Sequence, residues 1–308
     1  MMQDYETTLK ILGDTTKKMS RRELRGLSDI GREFESDFLD AWHMIDLKRR
    51  REIARAMIDV TEDNVDFDFR DVFSACLRDT DPEVRMSAVE GLVEDDRPRT
   101  MRQLIVMLSD DPDDDVRAAT ALALGRFGYL ASLDELGAAD ASQLRAALFG
   151  AAANLDLAVD VRRRALESVG YFNGADVDQV IAAAYASGDA KLKESSVAAI
   201  GHSLDQRWLP VLQAELRSSE PAMCYEAARA SGEFGEAGST LIPLLLPLTT
   251  GDDVQIFTTA IWALGQIGGD TARGALRRLA QSEEPARQEA AQEALGEIEI
   301  DGSAPQLF

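Results

Sequence analysis

Two histidines and two cysteines are scattered through the 308 residues, and neither pair is spaced for chemistry. His43 is followed by Met44 and His202 by Ser203, so the chain has no HExxH zinc motif and no His-Glu pair. Cys76 and Cys224 lie far apart, each inside a helical pattern and without a CxxC partner. They read as small buried thiols of a reducing compartment. A zinc or di-iron centre would need three or more clustered nitrogen, sulfur or carboxylate ligands. The sequence has no GxGxxG after a strand, no Walker A run and no GxSxG. Asp110–Asp115 (DDPDDD) is dense in oxygen but lacks the spaced ligands and closing Glu of an EF-hand loop. It reads as a turn followed by a helix N-terminus. No catalytic residue, metal or cofactor is therefore expected.

Charge narrows the partner. The chain has 55 Asp and Glu against 33 Lys and Arg, a formal net charge of −22. Such a field repels phosphate backbones and favours a protein or peptide with a basic surface, so no nucleic-acid partner is expected. Residues 1–60 hold 12 basic and 12 acidic residues, so the whole deficit falls in residues 61–308. The one dense basic run, Lys48-Arg49-Arg50-Arg51, has no interleaved aromatics and reads as a solvated helix face rather than an anion or nucleic-acid contact. The N-terminus MMQDYETTLK has no apolar run of the signal-peptide kind. The most apolar stretch, Leu241–Leu248 (LIPLLLPL), falls far short of the ~20 residues that span a bilayer. A cytoplasmic location without a membrane partner is the expectation.

The elements that would carry any function repeat. Glycines close similar runs at Gly125, Gly170, Gly201, Gly232, Gly265 and Gly296, with spacings of 45, 31, 31, 33 and 31 residues. An earlier copy, Asp79–Leu92, places Val93 where the glycine would be. This makes seven copies from about residue 79 to 299. In Asp111–Gly128, Pro112 and the aspartates sit where a helix begins, and acids there complement the positive end of its dipole. Val116, Thr120 and Leu124 follow at spacing four, with Ala119 and Ala123 beside them. Gly125 then either ends the helix or lets a neighbour approach. Second apolar stripes follow, such as Met101, Leu104, Ile105 and Leu108, or Leu209, Leu212 and Leu216. Each copy predicts a helical hairpin too small to bury both its faces, which stacking would cover. With helix axes ~8–10 Å apart, seven copies predict a curved rod roughly 60–70 Å long. No alternating strand pattern occurs, so the class is all-α.

The motif DPxVRxxAxxALG in these copies resembles HEAT repeats, in particular the bacterial type of the phycobilisome lyases. The resemblance implies a right-handed α-α superhelix, a HEAT-repeat solenoid of stacked helical hairpins. It also implies an Asp-Arg ladder between neighbouring repeats, with the Asp six residues before the Arg: here Asp79 and Arg85, Asp111 and Arg117, Asp156 and Arg162. Later copies have Ser187 and Lys193, then Ser218 and Cys224, with Phe257 and Gln288 at the Arg position of the last two. Some HEAT-type proteins are enzymes. Deoxyhypusine hydroxylases hold two irons with His-Glu pairs, which this chain lacks. HEAT-like DNA glycosylases carry a basic groove, which this charge opposes. Nothing in the sequence separates the bilin-lyase role from others.

Residues 1–78 lack the motif and read as an N-terminal helical cap with a degenerate first repeat, residues 79–299 as the repeat solenoid, and 300–308 as a tail. Within the cap, Ser20–Ile30, Glu33–Ile45, Leu47–Glu62 and Phe67–Leu77 read as helices, and Phe34, Phe38, Trp42 and Ile45 form one apolar stripe. About 13 extra residues separate Gly125 from Gly170, and most are expected in a longer loop at Tyr129–Asp140. If second helices line the concave side, as the resemblance implies, the contact candidates are Tyr185, Arg207, Trp208, Leu241 and Leu245. Trp208, Leu241 and Leu245 also suit packing, and Trp262, inside a first helix, reads as core. The expected function is a non-catalytic scaffold or adaptor. The alternative is an enzyme subunit of the bilin-lyase-like class.

Overall fold

The computed structural model describes residues 5–31, 35–64 and 66–303. All regular structure among them is helical, and the chain divides into two compact units, residues 1–168 and 169–308. The first unit holds α1 (Tyr5–Gly13), α2 (Arg21–Leu24), α3 (Glu35–His43), α4 (Leu47–Asp63), α5 (Arg70–Cys76), α6 (Pro82–Gly91), α7 (Pro98–Asp110), α8 (Asp114–Ser132), α9 (Ala138–Ala153) and nearly all of α10 (Val159–Val169). The second holds α11 (Ala175–Tyr185), α12 (Ala190–Ser203), α13 (Leu209–Glu215), α14 (Pro221–Glu233), α15 (Ile242–Leu248), α16 (Val254–Ile267), α17 (Gly269–Leu279) and α18 (Pro285–Ser303). The seven sequence copies begin at α6, α8, α10, α12, α14, α16 and α18.

The acid before four of the copies does a local job. Asp81 Oδ1 accepts the Val84 amide at 3.2 Å, Asp189 the Leu192 amide at 3.0 Å, and Asp253 the Ile256 amide at 3.1 Å. Asp113 accepts two, from Asp115 and Val116. These are N-caps, which satisfy amides that the first turn leaves free. The first helices pack side by side: α4 on α6 and α6 on α8 in the first unit, then α12, α14, α16 and α18 in series in the second.

The motif glycines set the spacing of that second series. A Cβ on Gly170 would stand 2.6 Å from the carbonyl oxygen of Ala199, and one on Gly201 would stand 2.9 Å from Ala230 Cα. Each glycine receives the alanine two residues before the next glycine, and Gly265 meets Ala294 in the same way. Gly296, in the last of these helices, has nothing within 4 Å.

Three sequence expectations change. The extra residues near Tyr129 do not form a long loop. They lengthen α8 to 19 residues and α9 to 16, and a short turn joins them. The helix ends where Asp134 takes φ 60° and Glu135 donates its amide to Leu130 O. Ser20–Ile30 is not one helix: α2 gives way to a 3-10 turn at Arg25–Leu27, and Asp29 at φ 56° donates its amide to Asp68 O. That bond, with the Asp68 amide donating to Ser28 Oγ, ties down the segment before α5, which starts at Arg70.

The third change is the basic run. Arg49 and Arg50 are buried, and the run is not a solvated face. Arg49 Nε donates to Leu12 O at 2.6 Å, Arg50 Nη1 to Asp79 Oδ2 at 2.5 Å, and Arg51 to Asp81 at 2.9 and 2.6 Å. The three arginines clasp α1 and the start of α6, which leaves Lys48 exposed. The apolar stripe of α3 and the turn after it is buried at Phe38, Trp42 and Ile45, with the Phe38 and Trp42 rings stacked at 5.6 Å. Phe34 lies outside the described residues. Tyr5, Leu9 and Leu12 of α1, a helix that the sequence reading passed over, join the same core.

Candidate interaction surface

The first helices of the second unit share an outward face. Counting from the motif glycine, the positions seven and three before it and one after it all point there. On α14 these are Tyr225, Arg229 and Glu233; on α16, Thr258, Trp262 and Gln266; on α18, Glu289, Glu293 and Glu297. All but Gln266, together with Thr259, Ala286, Ala290 and Ala294, line a groove of about 570 Å³ across the three helices. Steps of four residues put side chains about 6 Å apart along each helix, so the groove has three parallel rows.

Its electrostatics are uneven. Four carboxylates face one guanidinium. Burial disfavours the Arg229 charge, but the Glu226 and Glu233 carboxylates outweigh it and hold the group above its usual range. The bonds run from Arg229 Nε to Glu226 Oε1 at 2.8 Å and from Nη1 to Glu233 Oε1 at 3.1 Å. Glu297 accepts from Gln266 Nε2 at 2.9 Å. Glu289 and Glu293 are exposed on α18, four residues apart, with no cation beside them among the described residues.

Trp262 is half-buried rather than core, a correction to the sequence reading. Its indole lies over Gly232, where a Cβ would stand 2.4 Å from Cζ3, and its other side lines the groove. The sequence held a usable signal. The positions one and two before each motif glycine stay apolar or small, whereas the third before it runs Leu122, Glu167, Ala198, Arg229, Trp262, Glu293. Glu167 and Ala198 are buried there, but in the last three copies Arg229, Trp262 and Glu293 reach the surface.

Other recesses are plainer. A polar one of about 1020 Å³ at the α16–α17 turn includes Glu236, Asp270, Arg273 and Glu297 and no aromatic side chain. An apolar one of about 370 Å³ lies between α7 and α9, lined by Ile105, Leu108 and Ala147. Among the described residues no group of three or more His, Cys, Asp and Glu is placed to hold a metal. No helix there is long and apolar enough to cross a membrane. Cys76 and Cys224 are free and buried, and desolvation pushes both thiols up.

The Asp-Arg pairs join one copy to the next. Arg85 donates to both oxygens of Asp111 at 2.7 and 2.8 Å, and to the Asp79 carbonyl at 2.9 Å. Asp79 itself takes Arg50 and the Trp42 indole N–H, the latter at 2.7 Å. The ladder stops there. Arg117 pairs with Asp114 one turn away and not with Asp156, and Asp156 is exposed. Arg162 Nε and Arg117 Nε are buried without a hydrogen-bond partner.

Caps, paired helices and Asp-Arg rungs coincide with a family match over residues 70–153, to the family described as HEAT repeats. Over that stretch the chain is similar to HEAT repeats. Among solved structures it is similar to the CpcE–CpcF complex of phycocyanin lyase from a Nostoc species, at 20% identity and a TM-score of 0.53, covering 74% of this chain and 87% of that one. It is also similar to the Kap95–Nup1 complex, at 13% identity and a TM-score of 0.50, covering 96% of this chain and 46% of that one. At such identities the likeness speaks for the fold. No curated protein matches the sequence.

The contact candidates taken from the HEAT second helices do not form one surface. Leu241 and Leu245 are fully buried, so they are core and not contacts. Tyr185, on α11, is half-buried; its hydroxyl donates to Glu215 Oε1 at 2.5 Å, and Lys193 Nζ stands 5.0 Å above its ring. Burial and the Glu215 carboxylate push the Tyr185 hydroxyl up to about 12. Arg207 is exposed, and bonds to Asp205 and Asp178 hold its charge firmly. Trp208, half-buried in the 3-10 turn before α13, has a buried Nε1 without a partner.

Proposed function

We propose that the protein is a non-catalytic HEAT-repeat adaptor that docks a protein or peptide with a basic surface. One observation carries this reading: the groove over α14, α16 and α18, where carboxylates outnumber cations around a half-exposed tryptophan. Both similar solved structures are complexes of one protein with another, which suits a docking role.

Capture of partners by the full chain at about 50 mM and about 1 M salt tests the reading, because screening shortens to ~3 Å at the higher value. The expected result is a set of partners lost both at high salt and with the double variant Glu289→Lys, Glu293→Lys. Recovery of the same partners under every condition would remove the electrostatic basis. The alternative, a subunit of a bilin-lyase-like enzyme, draws on the fold likeness alone. A visible absorbance change on adding a bilin would favour it, and an unchanged spectrum would count against it.

A further inference from the structure

We infer that the Trp262 groove seats an arginine side chain from a basic peptide segment, with the guanidinium lying on the indole and Glu293 beside it. The inference rests on the docking reading above and narrows it to one occupant and one anchor.

The position of Trp262 is built rather than incidental. Gly232 removes the side chain that would occupy the inner face of the ring, so the indole packs down on α14 and presents its outer side to the groove. Two other aromatic rings of this unit already have a cation over them. Lys193 Nζ stands 5.0 Å from the centroid of Tyr185, and Arg287 Cζ stands 4.3 Å from that of Phe257. Among the described residues no cation is so placed over Trp262, although indole is the strongest of the three aromatic faces for this contact.

The charges around the ring point the same way. Arg229 is consumed by Glu226 and Glu233 and is not available to cover the indole. Glu293 sits on α18 at the position that Trp262 holds on α16, three before the motif glycine. Glu289 lies one turn away, and two like charges four residues apart on a helix repel each other until a cation comes between them. A planar guanidinium can stack on the ring and direct its N–H groups to a carboxylate at the same time, whereas an ammonium is a compact, strongly hydrated point charge. An acidic or neutral peptide meets excess negative charge here, and a nucleic acid meets more.

Three fluorescent peptides of identical length test this, carrying Arg, Lys or Gln at every fourth position and titrated onto the full chain at about 50 mM salt. The Arg peptide is expected to bind most tightly, the Lys peptide several-fold more weakly, and the Gln peptide not measurably. Trp262→Leu should weaken the Arg peptide about tenfold. Because that change also touches packing, the double variant Glu289→Gln, Glu293→Gln provides a second reading. It leaves the packing intact and should cost at least as much, while Glu62→Gln, on the other unit, should change nothing. Equal binding of the Arg and Gln peptides, or wild-type affinity in Trp262→Leu and in the double variant, would overturn the anchor. If partners are still captured in a salt-dependent way after such a result, the docking reading survives and only the occupant of this groove falls.

Discussion

The indole of Trp262 lies across Gly232, so that a Cβ added there would fall 2.4 Å from Trp262 Cζ3 and 3.0 Å from Ala263 Cα. One of those atoms is backbone, so the neighbour cannot simply swing away. Gly232→Ala should cost about 1–3 kcal/mol in thermal unfolding, the range for overpacking a filled interior. It should also move the tryptophan emission as the ring is lifted. Gly150 is the contrast: it is helical too, on α9, with nothing within 4 Å. Gly150→Ala should gain about 0.5–1 kcal/mol from reduced backbone freedom in the unfolded chain. Matching changes in both variants would show that the close approach at Gly232 does not exist.

Asp79 collects the Trp42 indole N–H, the Arg50 guanidinium and, at 4.0 Å, His43 Nε2, and its carboxylate is wholly buried. Asp79→Ala strands Arg50, itself buried, and should cost about 3–5 kcal/mol. Asp114→Ala removes a pair with Arg117 whose carboxylate is half-exposed, and should cost under about 1 kcal/mol. Urea unfolding of the two variants gives the comparison, and similar losses would refute the difference in burial.

Acid should act through Glu215. Burial raises this carboxyl, but the Lys193 and Tyr185 hydrogen bonds more than cancel that, and the net direction is downward from 4.5. A lowered folded value adds stability that is complete above the unfolded value and is lost as pH falls through the folded one. Tyr185 behaves oppositely: pushed up to about 12, it contributes below its unfolded value of 10 and loses that contribution as pH rises through about 12. Denaturant unfolding should therefore show wild type ahead of Glu215→Gln at pH 7, with the gap closing below about pH 4. A gap that widens in acid would reverse the sign.

Leu212, fully buried on α13, and Leu295, half-exposed on α18, separate the interior of the stack from its last first-helix. Leu212→Asp puts a charge where it has no partner and should lower the melting temperature steeply, whereas Leu295→Asp should cost much less. Equal losses would contradict the layered packing.

The period of the helices was readable because most copies carry a capping acid, a small residue and a glycine at matching positions, all short-range signals. The added length of α8 and α9 was not, since Tyr129, Leu130 and Leu133 continue a helical pattern and nothing local distinguishes a longer helix from a structured loop. The arginine run misled for a related reason. Its partners Leu12, Asp79 and Asp81 lie some thirty residues away, and charge density alone resembles a solvated face. At the candidate site, the spacing of Trp262 fits a buried stripe. Its outward side depends on how α16 is rotated against α14, which the contact at Gly232 fixes. Leu241 and Leu245 show the converse: the second-helix pattern was right, and the side of the helix that stays open was not.

The glycine–alanine contacts that recur from α12 to α18 work as a vernier. Duplicating the 31 residues 202–232 would bring an identical pair of surfaces together once more, so the array could grow by a whole module. An insertion inside one of these helices would instead turn the residues after it by about 100° each and face its alanine away, whereas the connecting turns absorb extra residues, as the 33-residue step from Gly232 to Gly265 does.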